Sequence, residues 1–244
     1  MIIYGNSAAP FQPTNINRLY RNIASDNSLA FLVNHADPTI DLVGGIPGTK
    51  SGTITSDIST QYTATKASNK TSNINFNTTP VSSLTSGVTV LLVAKVSAEG
   101  TKSRAFTIGA EAASAYTNTC IMFNANKSTA NTSGAMAVCS YSTNIQSSAE
   151  ATSVIDDNWH TWMFTFIQGT GWSIYRDGIH VTTSRTVGTS IATSSGVRLH
   201  NAPTSNTEGS THPMALTAIF SKALDYNSIA KISDNPWCLL SDRN

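Results

Sequence analysis

The feature that most constrains this chain is a pair of hairpins legible in its residues. Residues 159–167 read Trp-His-Thr-Trp-Met-Phe-Thr-Phe-Ile, with Trp162, Phe164 and Phe166 at every second position. A strand turns successive side chains to opposite faces, so this spacing predicts a strand with one aromatic face buried. Gln168, Gly169, Thr170 and Gly171 break the pattern, and Trp172, Ser173, Ile174 and Tyr175 resume it. Asp177-Gly178 follows. Both central positions of a type I′ turn need positive φ, which Asp and Gly tolerate. Ile179, His180 and Val181 return from that turn. Strands of this kind must bury their aromatic face against a second layer.

The rest of the chain offers that layer. Short apolar or alternating runs occur at 29–33, 53–55, 74–76, 105–109, 120–123, 136–141, 197–199 and 214–220. Asp41-Leu42-Val43-Gly44-Gly45 and Ile46-Pro47-Gly48 read as turns. Residues 88–94, Val-Thr-Val-Leu-Leu-Val-Ala, are the most apolar run and predict a central strand covered on both faces. One helix is expected at 228–233, capped by Asp225, with Ile229 and Ile232 on one face and Pro236 ending it. Trp237 is expected to anchor the chain end beyond it. Many short strands with one late helical turn predict an all-β fold, a two-sheet antiparallel sandwich with one short C-terminal helix.

Residues 26–244 read as one domain of this kind and residues 1–25 as an N-terminal arm, interrupted by Pro10 and Pro13. The arm holds Ile2, Ile3, Tyr4, Phe11, Ile16, Leu19 and Tyr20, which should bury against something. An extended path spans about 3 Å per residue and can reach a neighbouring subunit.

Ser, Thr and Asn fill roughly a third of the chain, a bias that also occurs in disordered segments. Disorder is rejected because 40% of the residues are hydrophobic and sit in strand-like runs. The net charge is +1 and Lys and Arg are scattered singly, so no basic stripe suits nucleic acid. No apolar run reaches membrane-spanning length. The opening Met1-Ile2-Ile3-Tyr4-Gly5-Asn6 lacks a charged segment of the secretory kind, so synthesis in a cytosol is expected. Cys120, Cys139 and Cys238 are odd in number and widely spaced, which predicts free thiols.

No cofactor, metal site or catalytic set is expected. Glycosidases use a carboxylate pair flanking the cut bond. Glu99, Glu111, Glu150 and Glu208 have no partner two or four residues away. Asp156-Asp157 is the one acidic pair, and neighbours on a strand point to opposite faces. It reads as a solvated turn, with a part in a calcium site as the alternative. Asp37 and Asp41 could also offer oxygens to calcium, but no dense ligand loop surrounds them. His35, His160, His180, His200 and His212 show no metal-ligand spacing, and His160 is expected to be structural. Sugar binding needs exposed aromatic faces, for which Trp172, Tyr116 and Tyr141 are the candidates, with Tyr226 beside them.

These residues carry a family likeness. Trp159-His160-Thr161-Trp162 and then Trp172-Ser173-Ile174-Tyr175-Arg176-Asp177-Gly178 resemble the laminin-G-like hairpin, W-H-x-(apolar) followed by (apolar)-Y-x-D-G. The ending Ala218-Ile219-Phe220-Ser221-Lys222-Ala223-Leu224-Asp225, Ile229-Ala230-Lys231-Ile232, Asn235-Pro236-Trp237 resembles the close of such domains in phage and prophage proteins. Leu32-Val33 and Asp41-Leu42-Val43-Gly44-Gly45 echo their opening. The resemblance implies a concanavalin A-like jelly roll. It also implies a non-catalytic bacteriophage virion protein, decorating or cementing the capsid or sitting on the tail. Its partners would be the major capsid or tail protein and copies of itself, with the virion, made in a host cytoplasm, as its place. The alternative is a lectin-like adhesin for host-surface glycans. Fold alone does not decide between them.

Overall fold

The structure, a computed structural model, describes residues 28–58, 62–81, 86–97, 103–108, 120–125, 136–142, 145–183, 196–200 and 209–240. Between 103 and 150 the side chains it describes are Ala105, Phe106, Ile108, Phe123, Met136 and Ala149. Residues 1–25, the expected arm, lie outside the described residues.

The described residues form two antiparallel sheets. In chain order the strands are β1 (Leu29–Asn34), β2 (Gly48–Ser51), β3 (Ile54–Ile58), β4 (Thr63–Ala67), β5 (Asn73–Phe76), β6 (Val88–Lys95), β7 (Ser103–Ile108) and β8 (Cys120–Ala125). There follow β9 (Met136–Ser142), β10 (Ile145–Ala151), β11 (Trp159–Ile167), β12 (Gly171–Arg176), β13 (Ile179–Thr183), β14 (Val197–Leu199) and β15 (Met214–Phe220). The first sheet runs β13-β12-β11-β6-β15-β4-β3, with β1 beside β15 as well. The second runs β10-β9-β8-β7-β14-β5-β2. This is the two-sheet sandwich that the residue pattern predicts, and it matches the jelly roll that the resemblance implies.

The hairpins form as their residues dictate. Phe164 pairs with Ile174 and Phe166 with Trp172 across β11 and β12. Asp177 and Gly178 hold φ of 52° and 78°, as a type I′ turn requires. Gly178 also lies against the helix: a Cβ there would stand 3.3 Å from Ala230 Cα. Trp162, Phe164, Phe166, Trp172 and Ile174 are buried between the sheets with Val88, Val90, Leu92 and Ala94 of β6. Phe106 and Phe123 meet them from the second sheet. Phe123 stands 4.9 Å from Phe164 and 6.1 Å from Trp172, ring centre to ring centre. Such aromatic pairs add about 0.5–1.5 kcal/mol each beyond their buried area.

A second apolar cluster covers the outer face of the first sheet. Helix α1 (Tyr226–Asp234) and a 3₁₀ turn (Pro236–Leu239) lie there. Asp225 caps the helix by accepting the Ser228 amide at 2.8 Å, and Ile229 and Ile232 face the sheet. They pack with Leu91 and Val93 of β6, Met163 of β11 and Leu216, Ala218 and Phe220 of β15. Thr89 Oγ1 accepts the Leu224 amide at 2.9 Å and ties the approach to the helix onto β6. This explains why 88–94 is apolar without alternation: one face meets the second sheet and the other meets the helix.

The Asp41 turn is held from inside. The carboxylate is fully buried. It accepts the amides of Leu32 and Val43, each at 3.0 Å, and of Gly44 at 3.1 Å. Those contacts give Asp41 a structural role in place of the calcium role considered for it. Exposed Asp37 accepts from Thr39 instead.

Cys120 and Cys139 lie on neighbouring strands, but Cys139 stands opposite Met122 and Cys120 opposite Tyr141. That diagonal register separates their Cα atoms by more than a disulfide spans. Cys238 packs against the outer cluster outside any disulfide, and burial pushes its pKa up to about 11. Among the described residues no helix is long and apolar enough to cross a membrane.

Candidate functional site

The aromatic candidates fare differently. Trp172 is fully buried opposite Phe166, with ring centres 5.3 Å apart, so it offers no face to a sugar. The correction follows from register: Phe166 points inward, and its cross-strand partner must do the same. Tyr116 lies outside the described residues. Tyr141 lies on β9, and its side chain is outside them too. Tyr226, the first residue of α1, is 60% exposed.

An aromatic group that sequence reading did not assemble stands at the start of β11. Trp159 has the parity opposite to Trp162, so it points away from the second sheet. Its ring meets Tyr62 edge to face at 5.1 Å, and Tyr62 meets Trp237 at 5.2 Å. All three are half-buried, packed on the outer apolar cluster with part of each residue in solvent. Trp237 thus anchors the chain end, as expected, but is not sealed in the core.

One polar pair edges this surface, and a second polar set lies on the opposite, Trp162 face of the strand. Lys95 is the cross-strand partner of Trp159 and shares its face. Its ammonium lies 3.7 Å from Asp157, which also accepts the Ser97 hydroxyl at 2.6 Å. Asp157 takes a φ of 61°, a conformation Asp tolerates better than most residues. Asp156 and Asp157 therefore form a solvated turn, as the sequence indicates. Asp156 lies 2.8 Å from His160 Nε2, and Asp177 lies 2.6 Å from His160 Nδ1. The other Asp177 oxygen accepts the Thr161 amide at 2.9 Å. Arg176 lies 3.5 Å from Asp156 and donates to the Val154 carbonyl at 2.7 Å. The hydrogen bond from His160 is the chief cause holding Asp156 below the usual carboxylate range. His160 is thus a clamp between two loops, which is a structural role.

A second polar cluster is buried between the sheets. His35 follows β1 and His200 follows β14, and both side chains are fully buried. Thr65 Oγ1 contacts His35 Nδ1 and lies 3.0 Å from His200 Nε2. His35 Nε2 lies 3.0 Å from Thr217 Oγ1. His200 Nδ1 is buried with no hydrogen-bond partner among the described residues. Burial pushes His35 well below the usual histidine range and brings His200 down to about 3, so both rings are neutral. The sequence held no signal for this cluster, because its members come from four distant segments. Sealed from solvent, it is a link between sheets and not a ligand site.

No family model matches the sequence, and no curated protein matches it. Solved structures share its fold. Domain 4 of AbnA, a GH43 extracellular arabinanase from Geobacillus stearothermophilus, solved in complex with arabinotriose, has a TM-score of 0.66 at 16% identity. The match covers 85% of this chain and 98% of that domain. The binding domain of botulinum neurotoxin serotype D has a TM-score of 0.65 at 13% identity, covering 86% of this chain and 51% of that one. The binding domain of Paraclostridial Mosquitocidal Protein 1 has a TM-score of 0.66 at 11% identity, covering 86% and 53%. The chain thus spans about half the length of the toxin domains and nearly all of the arabinanase domain.

Proposed function

We propose that this chain is a non-catalytic glycan-binding module that holds sugar against the Trp159, Tyr62 and Trp237 surface. The observation that carries the reading is the arrangement of that surface. Three aromatic residues keep part of their area in solvent, beside the polar side chains of Lys95 and Asp157. Sugar recognition uses this combination, with an apolar ring face for the C–H side and fixed donors and acceptors for the hydroxyls. The arabinanase domain supports it, since it matches over nearly its whole length and was solved with arabinotriose. The toxin domains lend less, because the chain spans only half of each. The non-catalytic part rests on Asp156 and Asp177. Each carboxylate is engaged by the same His160 ring, so neither faces a bond as a free acid or base.

Trp159→Ala is expected to weaken oligosaccharide binding about tenfold or more, the loss of roughly 1.4 kcal/mol or above. Calorimetry against linear arabino-oligosaccharides and a glycan array measures this. Because Trp159 also packs on the sheet, its melting temperature is recorded beside Lys95→Ala, which removes a polar contact and no packing. Unchanged affinity in both folded variants would move the site elsewhere.

The virion reading remains a second proposal, favoured by the likeness of residues 218–237 to phage proteins. The two are compatible, since a virion protein can carry a glycan site. In that reading residues 1–25 cross to another copy, or to the major capsid or tail protein. Deleting them should leave a folded sandwich that no longer assembles, and size-exclusion chromatography reads the change. A truncated chain that keeps the same oligomeric state counts against the arm.

A further inference from the structure

We infer that the outer face of the first sheet carries a second sugar-binding surface, formed by Tyr175, His180 and Tyr226 at the end of helix α1 remote from Trp237. The inference takes its ligand class, a glycan, from the proposed function. It does not depend on where that function places its own site.

Strand register brings these side chains together. Trp172 and Ile174 are buried between the sheets, so Ser173 and Tyr175 point to the outer face. Across the hairpin His180 pairs with Tyr175 and Thr183 with Ser173, with a bulge between the two pairs. Tyr175 packs on the outer apolar cluster, and its ring meets the His180 ring at 5.3 Å, near edge to face. The helix supplies the third ring. Residues 226, 230 and 233 share one helix face. Ala230 and Ser233 are the groups that a Cβ at Gly178 would meet, so that face looks onto the β12–β13 hairpin. Burial holds the Tyr175 phenol above the usual tyrosine range. A hydrogen bond with Ser173 opposes this and the Tyr226 phenol adds to it, so the two phenols are close enough to act on each other. Met163, the cross-strand partner of Tyr175, lies four residues along β11 from Trp159, about 13 Å, so this surface is separate from the first.

Two properties fit a sugar. Ring area is open, since Tyr226 is 60% exposed, His180 is exposed and Tyr175 is half-buried. Polar atoms are also held ready. Thr183 Oγ1 lies 2.6 Å from His180 Nε2 and 2.9 Å from Ser173 Oγ, which fixes the imidazole and leaves its Nδ1 open. Among the described residues neither that nitrogen nor the Tyr226 hydroxyl has a hydrogen-bond partner. Ring faces can take the C–H side of a sugar while the fixed imidazole and the phenol meet its hydroxyls. A stable protein contact takes roughly 20–30 residues a side, whereas three rings match the scale of a sugar.

The test titrates the isotope-labelled full chain with arabinotriose and with a galacto-oligosaccharide, following amide and indole signals by NMR. Signals of residues 173–183 and 225–227 are expected to shift, with a dissociation constant of their own beside that of the Trp159 indole. Tyr226→Ala should weaken the second response about two- to tenfold, the effect of one aromatic contact, and leave the first unchanged. Tyr226→Phe keeps the ring face and should retain most of the response, and Trp159→Ala should leave it intact. A Trp159 response with no shift at 173–183, or a second response indifferent to Tyr226→Ala, would overturn the inference and leave the proposed site standing. Shifts at 173–183 that follow protein concentration instead of sugar would also overturn it, making the surface a contact between copies. A second response without the first would support the inference and move the proposed site. No response to either sugar in the folded parent would overturn both.

Discussion

Lowering the pH from about 8 to about 5 is expected to remove about 2 kcal/mol of folding stability through His200, with His35 acting in the same direction. Both rings are fully buried and neutral in the fold. Desolvation is the chief cause for both, and for His200 it outweighs an opposing hydrogen bond with the Ser210 backbone. The titratable groups acting on the pair are histidines: His200 on His35, and His212 on His200. None is a carboxylate that could steady a charged ring. In the unfolded chain each histidine takes up a proton near its ordinary value of 6.5. Below that pH the unfolded state therefore binds more protons than the folded one, and stability falls as pH falls. His200, brought down to about 3 in the fold, contributes about 1.4 kcal/mol per pH unit below 6.5, so about 2 kcal/mol is lost by pH 5, and His35 adds to the loss in the same direction. Asp156 and Asp225 are also held below the usual range, but they act only where carboxylates titrate, under about pH 4.5. Urea midpoints measured from pH 8 to pH 5 give the slope. His200→Gln should make it shallower. A midpoint that stays flat over this interval would mean that the rings charge freely, and that the buried link between the sheets is not as described.

The same cluster shows where sequence reading stops. Residues 159–183 disclosed themselves because alternation and an Asp-Gly turn are local signals. Residues 88–94 and the capped helix did so for the same reason. Strand β4 was invisible: Thr-Ala-Thr-Lys-Ala has no large apolar residue, yet Ala64, Thr65 and Ala67 are buried. Small side chains fit where neighbouring strands come close, and they leave no hydrophobic period behind. Strand β10 hides likewise in Ile-Gln-Ser-Ser-Ala-Glu-Ala, and β2, largely exposed, reads as a polar turn. For the site, parity in 159–167 already set Trp159 against Trp162 and hence outward. Trp172 drew attention because it follows a loop, but its face is decided by pairing with Phe166, a matter of register. Tyr62 and Trp237 reach Trp159 only through the tertiary fold, which no local pattern records.

Asp41→Ala is expected to destabilise the domain by about 3–5 kcal/mol, the range seen when one member of a buried, charge-assisted set is removed. The Asp41 carboxylate has 0% exposure, and its hydrogen bonds hold three amides across two segments. Leu32 belongs to β1, while Val43 and Gly44 form the turn that folds back over it. Without the carboxylate the Leu32 amide keeps its ladder position but loses a partner in a place water does not reach. The Val43 and Gly44 amides are only partly buried and can hydrate, which is why the cost is not three full bonds. Asp41→Asn should cost less, since Oδ1 can still serve Leu32 and Val43, while its NH₂ group opposes the Gly44 N–H. Thermal and urea unfolding of the two variants should therefore rank Ala below Asn below the parent. The measurement also separates the structural role from the metal role the residue type allows. If backbone amides saturate the carboxylate, calcium should leave the parent's melting temperature where it was. A calcium-dependent rise in the parent that vanishes in Asp41→Ala would make Asp41 a ligand, with its oxygens free to leave the amides that now hold the turn.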